Sequence, residues 1–168
     1  MFNNLNLNTK NIETLFLGKN LILKNIYLYQ GPLTMQYLPF GGIQMINVTV
    51  WNEFVHEKTD ENIKKIYPDG IHKVIADFLG KNEDMVIRTA VLSDPEHGLT
   101  DEVLNDTDVL IWWGHMCHHE VSDAVAAKVK DHILRGMGFI PLHSAHMCKP
   151  FIGLMGTSCT LKWRDGDR

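Results

Sequence analysis

Apolar positions in this chain alternate between short unbroken runs and stretches with helical spacing, and the pairing repeats four times. Ile46 to Trp51 (INVTVW) is a run rich in β-branched residues, short enough for a strand buried on both faces. Beyond a polar loop, Ile71, Val74, Ile75 and Phe78 recur at helical spacing, with Asp69 placed to cap the helix and Gly80 to end it. MVIRTAVL (85–92) predicts the second strand, and TDEVLND a short helix with Thr100 as its cap. DVLIWW (108–113) predicts the third strand. Ser122 is then placed to cap VAAKVKDHIL, in which Val125, Val129, His132 and Ile133 share one face, and Gly136 closes it. GFIPLH (138–143) predicts the fourth strand, with a further helix starting near Ser144 to His146.

Strand–helix units in series imply parallel strands with helices on both faces. The expected fold is α/β, a doubly wound, mostly parallel sheet of the flavodoxin-like or Rossmann-like kind. Such sheets generally need five or more strands, and the last residues here, LKWRDGDR, form no closing element. The sheet is therefore expected to be incomplete at its C-terminal end. Residues 1–44 have another character: they are rich in Asn, almost free of charge, and punctuated by Gly31-Pro32 and Gly41-Gly42. Only LILKNIYLY suggests a strand there. The segment is expected to be a poorly ordered extension, with Met45 as the natural start of the domain that occupies 45–168.

Composition narrows the function without naming it. Among 168 residues the formal net charge is −4, which gives no basic footprint for nucleic acid or an anionic membrane. Cys117, Cys148 and Cys159 are an odd set without a CxxC pair, so a zinc finger, a thioredoxin-like site and a disulfide framework are all disfavoured. They read as small apolar fillers. No apolar run reaches the length of a spanning helix, and a cytoplasmic protein is expected.

The nine histidines are the unusual count. In an open parallel sheet, ligands bind outside the carboxyl ends of the strands. Strand one is followed by Asn52, Glu53, His56 and Glu57, and strand two by Asp94, Glu96 and His97. Strand three runs into His115, His118, His119 and Glu120, and strand four into His143, Ser144 and His146. Seven histidines thus fall on one edge of the sheet, from four separate segments, and only His72 and His132 fall inside helices. Neutral imidazoles with a carboxylate are standard ligands for zinc and similar ions. The compact His115, His118 and Glu120 form the expected metal set, although the spacing alone is a weak signal. The positive end of the helix opened by Ser122 should hold His118 and His119 neutral. His119 reads as a solvent-facing neighbour, and Trp112 and Trp113 as core and rim packing.

Three stretches carry a likeness to a known family: NVTVWNEFVHEKTDENIKKIYPDGIH, DVLIWWGHMCHHEVSDAVAAKV and GFIPLHSAHMCKPFIGLMGTSCTLKWRD. They resemble the ThuA-like (trehalose-utilization) family almost continuously from Met45 onward, and leave residues 1–44 unmatched. The resemblance implies a class I glutamine amidotransferase-like fold, and a family domain that continues past Arg168. In true amidotransferases a cysteine occupies the strained turn between a strand and a helix, as G-x-C-x-G-H. Here the turn is LHSAHM, with His143 in the nucleophile slot and Ala145 in place of the following glycine. Glutamine hydrolysis is therefore not expected, while the fold carries over.

The family's association is with catabolism of trehalose and related disaccharides. The leading expectation is a carbohydrate-processing enzyme acting on a disaccharide or keto-sugar. Glu120, His143, His146 and Glu53 are the expected acid–base residues, and Asn52, His56, Trp113 and Ser144 the expected substrate contacts. A divalent metal, zinc first, is the expected cofactor, and no nucleotide cofactor is expected. The expected partner is a small-molecule sugar, and a homo-oligomer is admitted. The alternatives are a non-catalytic sugar-binding or regulatory module, an inactive fragment, and an amidotransferase-like hydrolase using Ser144 or Cys148.

Overall fold

The sheet is built outward from one strand, β3 (Ile46–Asn52), whose last five residues are all buried. The computed structural model describes residues 45–162, together with the backbone of β1 (Ile26–Tyr29) and β2 (Met35–Leu38). These two short strands pair antiparallel within a unit of their own, residues 1–43. β1 falls in the stretch that suggested a strand, and β2 had no such signal. The expectation of poor order in residues 1–44 otherwise lies outside the described residues, as do Trp163 and the C-terminal residues after it.

In the larger unit β3 pairs in parallel with β4 (Met85–Val91) on one side and β5 (Val109–Trp113) on the other. β6 (Gly138–Leu142) pairs in parallel with β5, giving the order β4-β3-β5-β6. The α/β, flavodoxin-like parallel sheet read from the sequence is the one observed, and all four strands in it match their predicted runs. Side chains alternate across it as the pleat requires. Trp51, Leu110 and Trp112 point to the larger core with Leu104, Val125 and Val129, while Val48, Val50 and Ile111 meet Ile75 and Leu79 on the opposite face. Trp51 and Trp112, fully buried neighbours on paired strands, stack with centroids 3.9 Å apart.

Helices join the strands in the order α3 (Ile71–Leu79), α4 (Asp101–Asn105) and α5 (Asp123–Leu134), and α6 (Lys149–Met155) follows β6. Thr100 and Ser122 cap α4 and α5 as expected, accepting from the backbone N–H of Val103 and Val125. Asp69 does not cap α3. Gly70 takes the cap position at φ +91°, and the Glu57 carboxylate accepts from Ile71 N–H at 3.0 Å. A Cβ on Gly70 would stand 2.4 Å from the His72 ring and 2.8 Å from Phe54, so this tight approach requires glycine. The apolar stripe of α3 is also only partly covered: Val74 and Phe78 are 50% and 66% exposed.

The loop after β3, expected to be irregular, holds two more helices. α1 (His56–Thr59) and α2 (Glu61–Ile66) are joined through Asp60, which accepts from Asn62 and Ile63 N–H. Their apolar spacing is too sparse to show in a periodicity reading, because stability comes from the cap and from buried Glu57 rather than an apolar stripe. Among the described residues, no helix is long and apolar enough to cross a membrane.

Candidate active site

The strand order reverses at β3: the chain runs first to β4 on one side, then crosses to β5 on the other. The switch point, where such sheets form their ligand crevice, therefore lies between the carboxyl ends of β3 and β5. Asn52 and Glu53 leave β3 there, and Gly114 and His115 leave β5. The two strand ends are tied by Glu53 N–H donating to the Trp113 carbonyl at 3.1 Å.

Glu53 locks the crevice shut at its base. The residue is 2% exposed, and its carboxylate accepts from Met116 N–H (2.8 and 3.1 Å) and Cys117 N–H (3.0 Å). Hydrogen bonds to a charged group contribute about 1.5–3 kcal/mol each, so this one side chain fixes the loop that carries His115 to Glu120. Beneath it Asn52 is fully buried. Its amide donates to Glu57 (2.7 Å) and faces His72 Nδ1 (2.9 Å), and its oxygen accepts from Phe54 N–H (2.9 Å). Those bonds hold Phe54 in a left-handed conformation, φ +48°, which costs about 1–2 kcal/mol for a residue with a Cβ. Asn52 and Glu53, expected as substrate contact and proton carrier, are thus placed under the site and hold it from below.

The imidazoles meet on the other side of the crevice. Ser144 Oγ donates to the Gly114 carbonyl at 3.0 Å. A hydroxyl has a single proton, so the His115 and His143 nitrogens facing Ser144, each Nδ1, at 2.7 and 3.2 Å, must both be donors. Each ring, when neutral, therefore carries its proton at Nδ1 and leaves Nε2 as a free base. His115 and His143 have centroids 6.2 Å apart, His56 lies 5.6 Å from His115 with rings nearly parallel, and Trp113 lies 5.7 Å from His143. His143 sits at φ +48° on the turn leaving β6, the strained geometry expected of the nucleophile slot. His146 is turned away toward the Cys159 carbonyl, 2.8 Å from its Nδ1.

His118 is half-buried, and its Nε2 has no partner among the described residues. Burial pushes its imidazole below the ordinary histidine value. Glu53 opposes that shift, and His115, His146 and His119 add to it. The ring is neutral as expected, but burial rather than the helix dipole leads. Gly114 makes room for it, since a Cβ there would stand 3.2 Å from the His118 ring.

Glu120 takes part elsewhere. It lies on an exposed 3-10 turn, His118–Glu120, and borders a separate cleft on the β4 side of α1, together with Glu53, Lys58, Ser93 and His97. His97, read as an ordinary surface histidine, is a structural bridge there. Its Nδ1 meets the Leu92 carbonyl at 2.7 Å and its Nε2 accepts from Ser122 N–H at 3.0 Å. Among the described residues no three His, Cys, Asp or Glu side chains are gathered to hold a metal ion. The expected set of His115, His118 and Glu120 is not drawn together: His115 turns to Ser144 while Glu120 faces the cleft.

Cys117 and Cys148 are buried, and burial pushes both thiols up to about 11; Glu120 adds to the effect at Cys117. Neither offers a thiolate near neutral pH. Glu57, which the sequence places at the strand edge without a role, and His72, set aside there as a helix residue, complete the network under the site.

Three imidazoles, buried His72 and His132 and half-buried His118, are held below the ordinary value, each chiefly by burial. Below about pH 6.5, the ordinary histidine value, the unfolded chain binds protons that the folded chain does not. Stability therefore falls as pH drops from 7 through 6. Urea midpoints at pH 7.5 and 5.5 check this: a lower midpoint at pH 5.5 is expected, with a smaller difference in His72→Gln.

The fold defines the class: a flavodoxin-like, class I glutamine amidotransferase-like domain. The trehalose utilisation (ThuA) family model matches residues 47–166, and the chain belongs to that family. A search of curated proteins gave no match.

Proposed function

We propose that this chain is a carbohydrate-processing enzyme that moves a proton on a disaccharide or keto-sugar at the crevice between β3 and β5. The observation that supports this reading is the Ser144 hydroxyl. By donating to the Gly114 carbonyl it holds His115 with Nδ1 protonated, leaving Nε2 open as a general base at the ligand-binding edge. His115 takes a proton from a sugar hydroxyl, or from the carbon beside a keto group. The His115 imidazolium so formed returns that proton to the substrate oxygen, and His143, across the same opening, accepts a hydrogen bond from a substrate hydroxyl at its open Nε2. Ser144 is a positioning residue, and His56 and Trp113 line the opening on either side. Membership of the trehalose utilisation family supports a sugar as the substrate.

The described residues do not fit a resident metal as a three-ligand set, and no step is derived through one. Stoichiometric zinc in the purified chain, lost in both His115→Ala and His118→Ala, would restore the expected metal centre.

Proton NMR in deuterium oxide tests the reading on trehalose and on a keto-disaccharide. Deuterium exchange beside the carbonyl, or formation of a new sugar, is expected with the wild-type chain. Binding of these sugars without exchange or product would instead identify a non-catalytic sugar-binding module.

A further inference from the structure

Outside the imidazole site, a cleft opens on the far side of α1. It has a volume of about 300 Å³ and no residue in common with the His115–Ser144–His143 group. Phe54, Val55 and Leu92 give it an apolar lining, and Lys58, Ser93 and Glu120 supply polar groups.

Several of its walls are held firmly. Phe54 is fixed from behind by Asn52 and edge-on by His72. Lys58 Nζ lies 4.3 Å over the Phe54 ring. The opposite wall is the turn at Glu96 and His97, two left-handed residues pinned by the His97 bridge to Leu92 and Ser122. Strain of this sort persists only where the surroundings over-determine it, and it clusters at ligand sites.

The polar groups define the ligand. Among the described residues Lys58 Nζ has no carboxylate partner and Ser93 Oγ no hydrogen bond, while the Glu120 carboxylate meets the Cys117 thiol and His119, the latter at 3.9 Å, and keeps acceptor capacity for a ligand. An anionic ligand would meet Glu120, and a cationic one would meet Lys58. A neutral molecule with adjacent hydroxyl groups satisfies both, donating to the carboxylate and accepting from the ammonium, while its C–H face rests on the apolar lining. Small-molecule pockets run from about 300 to 1,000 Å³, so the volume suits one sugar ring rather than two.

We infer that the cleft lined by Phe54, Lys58, Ser93 and Glu120 is a subsite for a single hexopyranose ring. The inference rests on the carbohydrate reading above and deepens it: α1 stands between the two, with His56 facing the imidazoles and Lys58 facing the cleft. The subsite gives binding energy and selects the sugar, and the imidazoles do the chemistry.

Ligand-observed NMR titration of the full chain with glucose and with trehalose tests this. Lys58 and Ser93 are exposed, so Lys58→Met and Ser93→Val should leave the fold intact, which circular dichroism checks. Each is expected to weaken glucose binding about tenfold, the loss of one charge-assisted or well-placed hydrogen bond. His115→Ala is expected to keep glucose binding while losing turnover. Glutamine, whose ammonium and carboxylate could also answer Glu120 and Lys58, is the rival ligand to be run as competitor. Sugar binding unaffected by Lys58→Met and Ser93→Val, or displaced by glutamine, overturns the subsite and leaves the carbohydrate reading standing. Failure of any sugar to bind the wild-type chain overturns the carbohydrate reading itself.

Discussion

Replacing His115 with alanine is expected to lower turnover by about two to four orders of magnitude, the usual contribution of a positioned general base. His115 is exposed at the sheet edge, so the loss should come with little change in stability. Ser144→Ala should lower turnover by a smaller factor and leave KM for the sugar almost unchanged. It leaves the ring in place but frees Nδ1 to lose its proton to Nε2, so part of the population holds the wrong tautomer. Ser144→Thr keeps the hydroxyl and should restore much of the rate, a rescue that a purely structural role would not predict. Kinetics of the three variants on one keto-disaccharide measure this. An unchanged rate in His115→Ala removes the base from the account.

The second large effect is on stability. Glu53→Gln is expected to destabilise the chain by about 3 kcal/mol, because an amide presents an N–H₂ group to backbone donors that now meet a carboxylate oxygen. One amide oxygen cannot replace two carboxylate oxygens serving Met116 and Cys117 N–H. With an m-value of about 1–3 kcal/mol/M for a chain of this size, the urea midpoint should fall by about 1 M or more. Turnover should fall as well, since the loop from Gly114 to Glu120 loses its anchor. A midpoint within error of wild type would show that the loop is held by something else. The contrast between the two substitutions separates the roles: His115 acts on substrate at the surface, and Glu53 acts on the backbone below it.

The parallel sheet was legible because its signal is local. INVTVW, DVLIWW and GFIPLH are apolar runs of strand length, and each became a strand of the main sheet with little change of boundary. The collection of histidines on one edge followed from topology alone, and His56, His115 and His143 do meet there. The roles of individual residues were less legible, because role depends on contacts distant in sequence. Asp69 looks like a cap by its spacing, but Glu57, fourteen positions from Ile71, provides the carboxylate. Glu53 and Asn52 look like ligand contacts by position, yet the first binds backbone more than sixty residues away and the second closes a network with His72. Glu120 shares a short segment with His115 and His118, but a 3-10 turn carries it to a different opening. Spacing along the chain told which residues reach the edge, and hydrogen bonding decided which way each one faces.

The central claim is that one serine hydroxyl sets the protonation pattern of the imidazoles at the switch point. Long-range nitrogen–proton correlation NMR on histidine-labelled protein at pH 7.5 tests it most directly, because the two neutral tautomers have distinct nitrogen shifts. The account predicts His115 and His143 as Nδ1–H tautomers in the wild-type chain, with His115 shifting toward Nε2–H in Ser144→Ala. Observation of His115 as the Nε2–H tautomer in the wild-type chain would contradict it.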